Sequence, residues 1–211
     1  MPAMVTPSEQ RVVLSDISWE TYERLLEDLA DCSAPRLTYD HGVLEIMSPL
    51  SDHERYNRNL SLLVEVFAEE LDIEIGNLGS TTFKLEEFER GFEPDSCFYI
   101  QHESQIRNRR RIALPEDPPP DLVIEIDLTN SSINKFPVFA QLGVPEVWRV
   151  SSGKLEIFRL QRDRYTKQPS SSVLPPLTAA DLMELLESSL SMRRTAWLRH
   201  LREHFRKLER P

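Results

Sequence analysis

Hydrophobic positions in this chain follow two periods, which predict strands in some segments and helices in others. Residues three or four apart are apolar over 52–71, which predicts a long helix with one face packed on a sheet. Alternating or continuous apolar runs predict strands at 11–14, 36–39, 43–47, 81–85, 95–101, 121–127, 146–150, 154–160 and 164–168. Further helices are predicted at 19–30 after a capping Ser18, in a short segment before 146, and from Thr178 to 207.

The order of these elements predicts one α/β domain of the restriction-endonuclease-like kind, with a mixed central sheet flanked by helices. The segment 121–127 is almost continuous in β-branched and aliphatic residues, which is typical of a strand covered on both faces. The helix and strand that follow it predict a right-handed crossover between two parallel strands. We predict that the domain covers 1–168, with its core at about 19–160, and that 169–211 form a linker and an amphipathic helical tail.

Composition narrows the class of protein further. Of the 211 residues, 40% are hydrophobic and 28% are charged, as in ordinary soluble globular proteins. No apolar run approaches the roughly 18–20 residues that a membrane span needs. The start of the chain lacks the basic and apolar segments of a signal peptide, and Cys32 and Cys97 are too few for a disulfide framework. These features predict a cytoplasmic protein that does not contact a membrane.

The charge distribution leaves two interpretations open. The net charge of −10 disfavours a nucleic-acid partner, because phosphate binding uses Lys and Arg. Arginines nevertheless cluster at 107–111 and again at 193–210. Each run is either a contact for nucleic acid or a solvated surface, and the sequence does not decide between them.

Glu125 is the most informative residue, because it lies in the middle of the predicted buried strand 121–127. Burying a carboxylate is very costly unless it is paired, protonated or bound to a metal. Alternate side chains of a strand share a face, so Glu125 and Asp127 point the same way. The pattern therefore indicates a metal site, with a buried salt bridge to Arg or Lys as the alternative.

Two other residues gain interest from their positions. Asp95 opens a predicted strand directly after Pro94, whose fixed φ suits a strand start. If Asn134 caps the following helix, Lys135 lies in its first turn, near the end of the Glu125 strand. A positive charge there opposes the helix dipole, which suggests a role in a site. Taken alone, Asp95 is typical of a turn and Lys135 of an exposed surface.

Several motifs occur in the same order as in a known family. They are Y-D-H-G-V-L-E-I-M-S-P at 39–49, H-E at 53–54, E-P-D at 93–95, P-D-L-V-I-E-I at 120–126, Lys135, and G-V-P-E-V-W at 143–148. On these motifs the chain resembles the Uma-two family of endonucleases, part of the PD-(D/E)XK nuclease superfamily, over about 19–160. The most specific of them is G-V-P-E-V-W, which follows the E-I-D strand and the short helix.

The resemblance implies a restriction-endonuclease-like fold and Mg²⁺-dependent hydrolysis of phosphodiester bonds in DNA, with Mn²⁺ able to substitute. It matches Asp95 and Glu125 to the carboxylates that hold the ion, which polarises the phosphate and activates water. It matches Lys135 to the lysine that orients this water and stabilises the developing charge. It matches Glu54 to a carboxylate that completes the metal site. Many relatives of this fold are dimers, which also leads us to test for a homodimer.

Three features leave alternatives open. Asp127 stands where the superfamily motif has a lysine, so it is either an extra metal ligand or a cap of the strand end. This departure also keeps a non-catalytic nucleic-acid-binding or regulatory module as the competing function. His53 lies on the apolar face of the helix 52–71 and Glu54 at its flank, so His53 is either a core residue or a partner in the site. The tail has an apolar stripe that predicts core packing or a dimer contact, formed by Trp197, Leu201, Phe205 and Leu208.

Overall fold

The computed structural model of the chain describes residues 9–32, 35–128 and 133–208. Its helices are α1 (Trp19–Asp28), α2 (Ser51–Leu71), α3 (Glu103–Ile106), α4 (Phe136–Gln141), α5 (Ala179–Ser191) and α6 (Arg194–Phe205). Its strands are β1 (Glu9–Leu14), β2 (Arg36–Asp40), β3 (Val43–Pro49), β4 (Gly76–Gly79), β5 (Phe83–Leu85), β6 (Arg90–Phe92), β7 (Ser96–Tyr99), β8 (Leu122–Asp127), β9 (Glu146–Ser151), β10 (Lys154–Gln161) and β11 (Arg164–Gln168). A 3₁₀ turn covers Glu86–Phe88.

The strands form two sheets. A six-stranded mixed sheet has the order β11-β10-β9-β8-β7-β4, in which β8 and β9 are parallel and joined through α4. The predicted mixed sheet flanked by helices is thus confirmed, and so is the parallel pair. A five-stranded antiparallel sheet has the order β1-β3-β2-β6-β5. We did not predict this second sheet, because β6 is only three residues long and lies inside the acidic segment 86–93.

Helices cover both faces of the mixed sheet around β8. One face of β8 carries Leu122, Ile124 and Ile126, which belong to the same core as side chains of α2, α5 and α6. The opposite face carries Val123, which packs in a second core with Cys97, Val147 and side chains of α4. The alternation expected for β8 is therefore present, and it places the side chain of Glu125 on the face of Val123.

Several element boundaries differ from the predictions. Helix α4 begins one residue later than expected, with Lys135 in the cap position, while the side chain of Asn134 accepts a hydrogen bond from the backbone N–H of Phe136 at 3.2 Å. The predicted strand 95–101 is shorter, since β7 covers Ser96–Tyr99. The helices and strands that the pattern missed, α3, β4 and β6, are all short. None of the helices in the described ranges combines the length and the apolar composition that a membrane span requires.

The C-terminal helices are part of the core. Thr178 caps α5 as expected, but the predicted single helix is divided at Met192, where the backbone becomes extended. Trp197, Leu201 and Phe205 are almost fully buried within the chain. The apolar stripe therefore packs within the chain, so it no longer supports a dimer contact. The proposed division of the chain at residue 168 stays a prediction.

The two basic runs are partly neutralised within the chain. Arg107 donates to Glu103 at 2.7 Å, and Arg109 pairs with Asp117 at 3.1 Å. In the second run, the side chains of Arg202 and Arg206 pair with glutamates of α2. These arginines therefore act at least in part as solvated salt-bridge partners, which each contribute little to stability.

Candidate active site

Asp95 and Glu125 lie side by side on neighbouring strands. In the antiparallel pair of β7 and β8, Ser96 lies opposite Ile124, so one step further along the same register Asp95 comes opposite Glu125. Opposite residues of a pair project to the same face of a sheet. Asp95 also accepts a hydrogen bond through Oδ2 from the backbone N–H of Ile126 at 2.7 Å, which fastens its carboxylate to β8. Each of the two acids is only 3% exposed.

The motif E-P-D at 93–95 connects the two sheets. Strand β6 of the five-stranded sheet ends at Phe92, and β7 of the mixed sheet begins at Ser96. Glu93 anchors this link, because its carboxylate accepts hydrogen bonds from the backbone N–H of Leu37 at 2.8 Å and from the hydroxyl of Thr82 at 2.6 Å. The three residues of the motif therefore place Asp95 at the junction of the sheets.

Lys135 completes the predicted trio. Its Nζ donates to Oε2 of Glu125 at 2.6 Å, and the lysine is 8% exposed. The other oxygen of Glu125, Oε1, is buried and has no hydrogen-bond partner in the part of the chain that the structure describes. A buried carboxylate with one oxygen unused is costly, so it provides a free acceptor for a ligand with positive charge.

A network of basic and polar groups surrounds Asp95. Oδ1 accepts a hydrogen bond from Nη1 of Arg36 at 2.7 Å, and Oδ2 lies 3.2 Å from Nε2 of His53. The side chain of Asn57 donates to the backbone carbonyl of Asp95 at 2.9 Å. His53 is fully buried, so this side chain of α2 faces the sheet and contacts the site, as its place on the apolar face allowed.

Glu54 reaches the site through an arginine. Its Oε1 accepts from Nη2 of Arg36 at 2.8 Å, and its Oε2 accepts from Nε of Arg58 at 3.3 Å. Arg36 therefore stands between Glu54 and Asp95. Sequence reasoning missed Arg36, whose one local signal is a charged side chain at the start of β2, where the next three residues are buried.

Asp127 lies on the same face of β8 as Glu125, but it pairs with an arginine of the second sheet. Arg11 of β1 donates to Asp127 at 3.1 Å and to Glu45 of β3 at 2.7 Å. Glu45 is 1% exposed, and sequence reasoning did not single it out. A buried carboxylate in a hairpin strand is the signal that could have identified it, by the argument applied to Glu125.

The charges of the site shift its titration in different directions. Burial raises the pKa of Asp95, but hydrogen bonding to His53 and the charges of His53, Arg36 and Lys135 outweigh burial and leave this pKa below its ordinary value. Burial raises the pKa of Glu125 to about 7, against the charge of Lys135. Burial lowers the pKa of Lys135, but the neighbouring carboxylates raise it by more, so the lysine stays charged.

The donor set fits a hard divalent cation held by two carboxylates. Within the described ranges, no three His, Cys, Asp or Glu side chains are grouped so that they could hold a metal ion by themselves. Mg²⁺ rarely needs such a cage, because it usually keeps several waters and is bound by one or two carboxylates together with phosphate oxygens. Asp95 and Glu125 meet this requirement. Oε1 of Glu125, which has no hydrogen-bond partner in the described residues, is an oxygen atom that could bind the ion. Glu54 is engaged by two arginines instead.

Comparison with known proteins finds a matching family model and similar solved structures. The model of the Uma2 family, described as "Putative restriction endonuclease", matches residues 19–194. Among solved structures, the chain is similar to "a putative nuclease belonging to DUF820" from Anabaena variabilis, with 18% sequence identity and a TM-score of 0.48 over 76% of this chain and 98% of that chain. No curated protein matches the chain. The Uma2 match extends through α5 to the first residue of α6.

Proposed function

Since the chain belongs to the Uma2 family, we propose that it is an endonuclease that hydrolyses phosphodiester bonds of DNA with Mg²⁺, for which Mn²⁺ can substitute. The observation that supports this proposal is the buried juxtaposition of Asp95, Glu125 and Lys135, in which one oxygen of Glu125 is unused. A buried acid of this kind is stable when a cation neutralises it. The two cysteines are free thiols, as expected for a protein that functions in the reducing cytoplasm.

Asp95 and Glu125 are the residues that would hold the cation. A divalent ion at this place supplies a Lewis acid that polarises the phosphate and offsets its charge. The backbone N–H of Ile126 fixes the carboxylate of Asp95, so this ligand is already oriented before any ion arrives. The low pKa of Asp95 keeps it ionised at neutral pH, which suits a metal ligand.

Lys135 would act on the reacting oxygens. Its ammonium group is charged, buried and fixed by a hydrogen bond to Glu125, so it can donate to a water or a phosphate oxygen at the same place. Donors held ready in a site shielded from water stabilise developing negative charge much better than donors in bulk solvent. The side chain of Lys135 therefore takes the role that the lysine of the superfamily motif has.

A second candidate function is a nucleic-acid-binding or regulatory module that does not cut. One specific observation favours it: Arg36 and Lys135 already neutralise Asp95 and Glu125 within the chain. Such internal pairing allows the fold to exist without any metal. The two candidates differ in what a divalent ion does, because only the nuclease should bind it and break the DNA backbone.

The deciding experiment measures nicking of supercoiled plasmid with Mg²⁺ or Mn²⁺, and with EDTA as the metal-free control. We expect the native protein to nick in both metals, and Asp95→Asn and Glu125→Gln to lose most of the nicking rate, since each removes a carboxylate ligand of the ion. Lys135→Ala should lose cleavage but keep Mn²⁺ binding, measured by the electron paramagnetic resonance of free Mn²⁺. DNA binding without cleavage in every metal would support the module instead.

A matched control separates loss of chemistry from loss of folding. Glu146 on β9 is a buried glutamate that accepts hydrogen bonds from Trp148 at 2.7 Å and from Ser171 at 2.6 Å. Glu146→Gln should lower the midpoint of thermal unfolding and leave the nicking rate per folded molecule unchanged. Should Glu146→Gln lose activity as Glu125→Gln does, while both remain folded, the assignment of the site would be wrong.

Light scattering of the full chain tests the expected homodimer.

A further inference from the structure

Arg36 lies beside the candidate metal site but is not one of its proposed metal ligands. We propose that Arg36 binds a phosphate of the substrate next to Asp95, and that Glu54 holds Arg36 in place rather than binding the metal. The inference rests on the proposed nuclease function, because it assumes that a phosphodiester approaches Asp95. It assigns to two residues roles that the superfamily resemblance does not give them.

The guanidinium group of Arg36 is only partly satisfied by its neighbours. Arg36 is 8% exposed and donates from Nη1 to Asp95 and from Nη2 to Glu54. Its Nε is buried without a hydrogen-bond partner in the described residues. An unpaired donor on a buried cation is unfavourable, so the bare protein leaves part of this group unsatisfied. An arriving anion would satisfy it.

With a metal ion bound, the carboxylate of Asp95 would contact two cations, the ion and Arg36. Its Oδ2 is already shared by the backbone N–H of Ile126 and the ring of His53, so Oδ1 is the less occupied oxygen. A divalent ion at Oδ1 competes with Arg36 for the same atom. A guanidinium group that gives up this contact needs another oxygen anion nearby, and a phosphate bound to the same ion provides one.

Glu54 explains how Arg36 could remain in place during this exchange. The contact between Oε1 and Nη2, at 2.8 Å, does not involve Asp95. Arg58, four residues further along α2, donates to the other oxygen of Glu54. With an arginine on each oxygen, Glu54 is suited to positioning a guanidinium group and is poorly suited to binding a metal.

The geometry further predicts which step each variant affects. Loss of Arg36 should weaken substrate binding and leave the ion in place, because Arg36 is a competitor of the metal and not its ligand. Hydrogen bonds from charged groups contribute about 1.5–3 kcal/mol, so we expect Arg36→Met to raise KM about tenfold to a hundredfold. The Kd for Mn²⁺ without DNA should stay the same or decrease. Arg36→Lys, which keeps the charge, should recover part of the loss.

Glu54→Gln provides a second test that does not depend on the stability of Arg36→Met. Its side chain is 29% exposed, so the substitution is tolerated more easily than one in the core. We expect a rise in KM of about threefold to tenfold, from the lost charge on a hydrogen bond to Arg36. The Kd for Mn²⁺ should not change. If Glu54 were a metal ligand, this Kd would instead rise as it does in Glu125→Gln.

The experiment measures KM and kcat for cleavage in Mn²⁺, together with the Kd for Mn²⁺ from electron paramagnetic resonance. Arg90→Met is the control for Arg36, because Arg90 lies in the same sheet as Arg36 and pairs with a different aspartate, Asp40, at 2.8 Å. Glu65→Gln is the control for Glu54, because Glu65 lies on the same helix and accepts from Asn77. Neither control should change KM or the Kd for Mn²⁺.

The outcomes are distinguishable. If the native protein neither binds Mn²⁺ nor cuts DNA, the proposed nuclease function fails and this inference fails with it. If the native protein does both but folded Arg36→Met and Glu54→Gln keep its KM, the inference alone is overturned. It is also overturned if Glu54→Gln loses Mn²⁺ affinity to the extent that Glu125→Gln does.

Discussion

Replacement of Lys135 by methionine tests whether the buried lysine stabilises the ionised form of the buried acid Glu125. Methionine keeps much of the length of the side chain and removes the charge that lies 2.6 Å from Glu125. The measurement belongs in EDTA, so that no ion takes the place of the lysine. What changes is then the free energy of unfolding and its dependence on pH.

The magnitude follows from the titration of Glu125. Its pKa is raised by burial from the ordinary 4.5 to about 7 with Lys135 present. Below about pH 7 Glu125 carries a proton in the native protein, so its ion pair with Lys135 contributes little there, although the lysine still interacts with the charge of Asp95. Above it, the native protein ionises Glu125 beside Lys135, whereas the variant must keep the proton bound. The difference in stability between the two proteins therefore grows with each further pH unit, by on the order of 1 kcal/mol.

The sign of this dependence is fixed. Because the folded pKa of Glu125 lies above the unfolded one, the unfolded chain releases its proton first, and stability from this group falls as pH rises from about 4.5 to about 7. In Lys135→Met the fall continues to higher pH. The variant should thus lose on the order of 1 kcal/mol relative to the native protein between about pH 7 and pH 8, and on the order of 2–3 kcal/mol by about pH 9.

Urea unfolding at these pH values measures the difference directly. Lys84→Met is the matched control, since Lys84 pairs with Glu23 on a half-exposed surface and should show no growing difference. The double variant Lys135→Met with Glu125→Gln should not show this growing difference, because Glu125 is no longer there to ionise. A difference between Lys135→Met and the native protein that stays constant from pH 7 to pH 9 would refute the reasoning.

Three further predictions concern stability. Gly91→Ala should lower the free energy of unfolding by about 1–3 kcal/mol, since its added Cβ would lie 2.3 Å from the hydroxyl of Tyr22. In a Tyr22→Phe background the same substitution should lower it by less, which a double-mutant cycle measured by urea unfolding can test. Trp197→Ala should cost about 3–5 kcal/mol by the same assay, because this side chain is 1% exposed in the core under α6. Mg²⁺ at a hundredfold excess over its Kd should stabilise the native protein by about 2.7 kcal/mol in calorimetry, and Glu125→Gln by nothing.

The parts of the site that lie on one strand could be predicted from sequence. Glu125 stands out because a carboxylate interrupts an apolar run, and this signal is contained in six consecutive residues of β8. The alternation of the same run gave its two faces, which the packing of Leu122 and Val123 confirms. Local pattern is sufficient here, because burial and period are both properties of a short segment.

The parts that depend on distant contacts could not be predicted. Arg36 meets Asp95 across 59 residues of sequence, and Arg11 meets Asp127 across 116. The residues next to either arginine in the sequence do not indicate which acid it pairs with in the folded protein. The second sheet was missed for a related reason, since the three residues of β6 gain their strand character from pairing with β2 and β5.

The position of the E-P-D link between the two sheets has a consequence for how the protein matures. Arg36 and Glu45 come from the five-stranded sheet, Glu125 comes from the mixed sheet, and Asp95 lies at the crossing from one to the other. A nascent chain with just one sheet formed holds an incomplete set of these charges. The full set of charges is therefore brought together only when both sheets have formed and docked against each other.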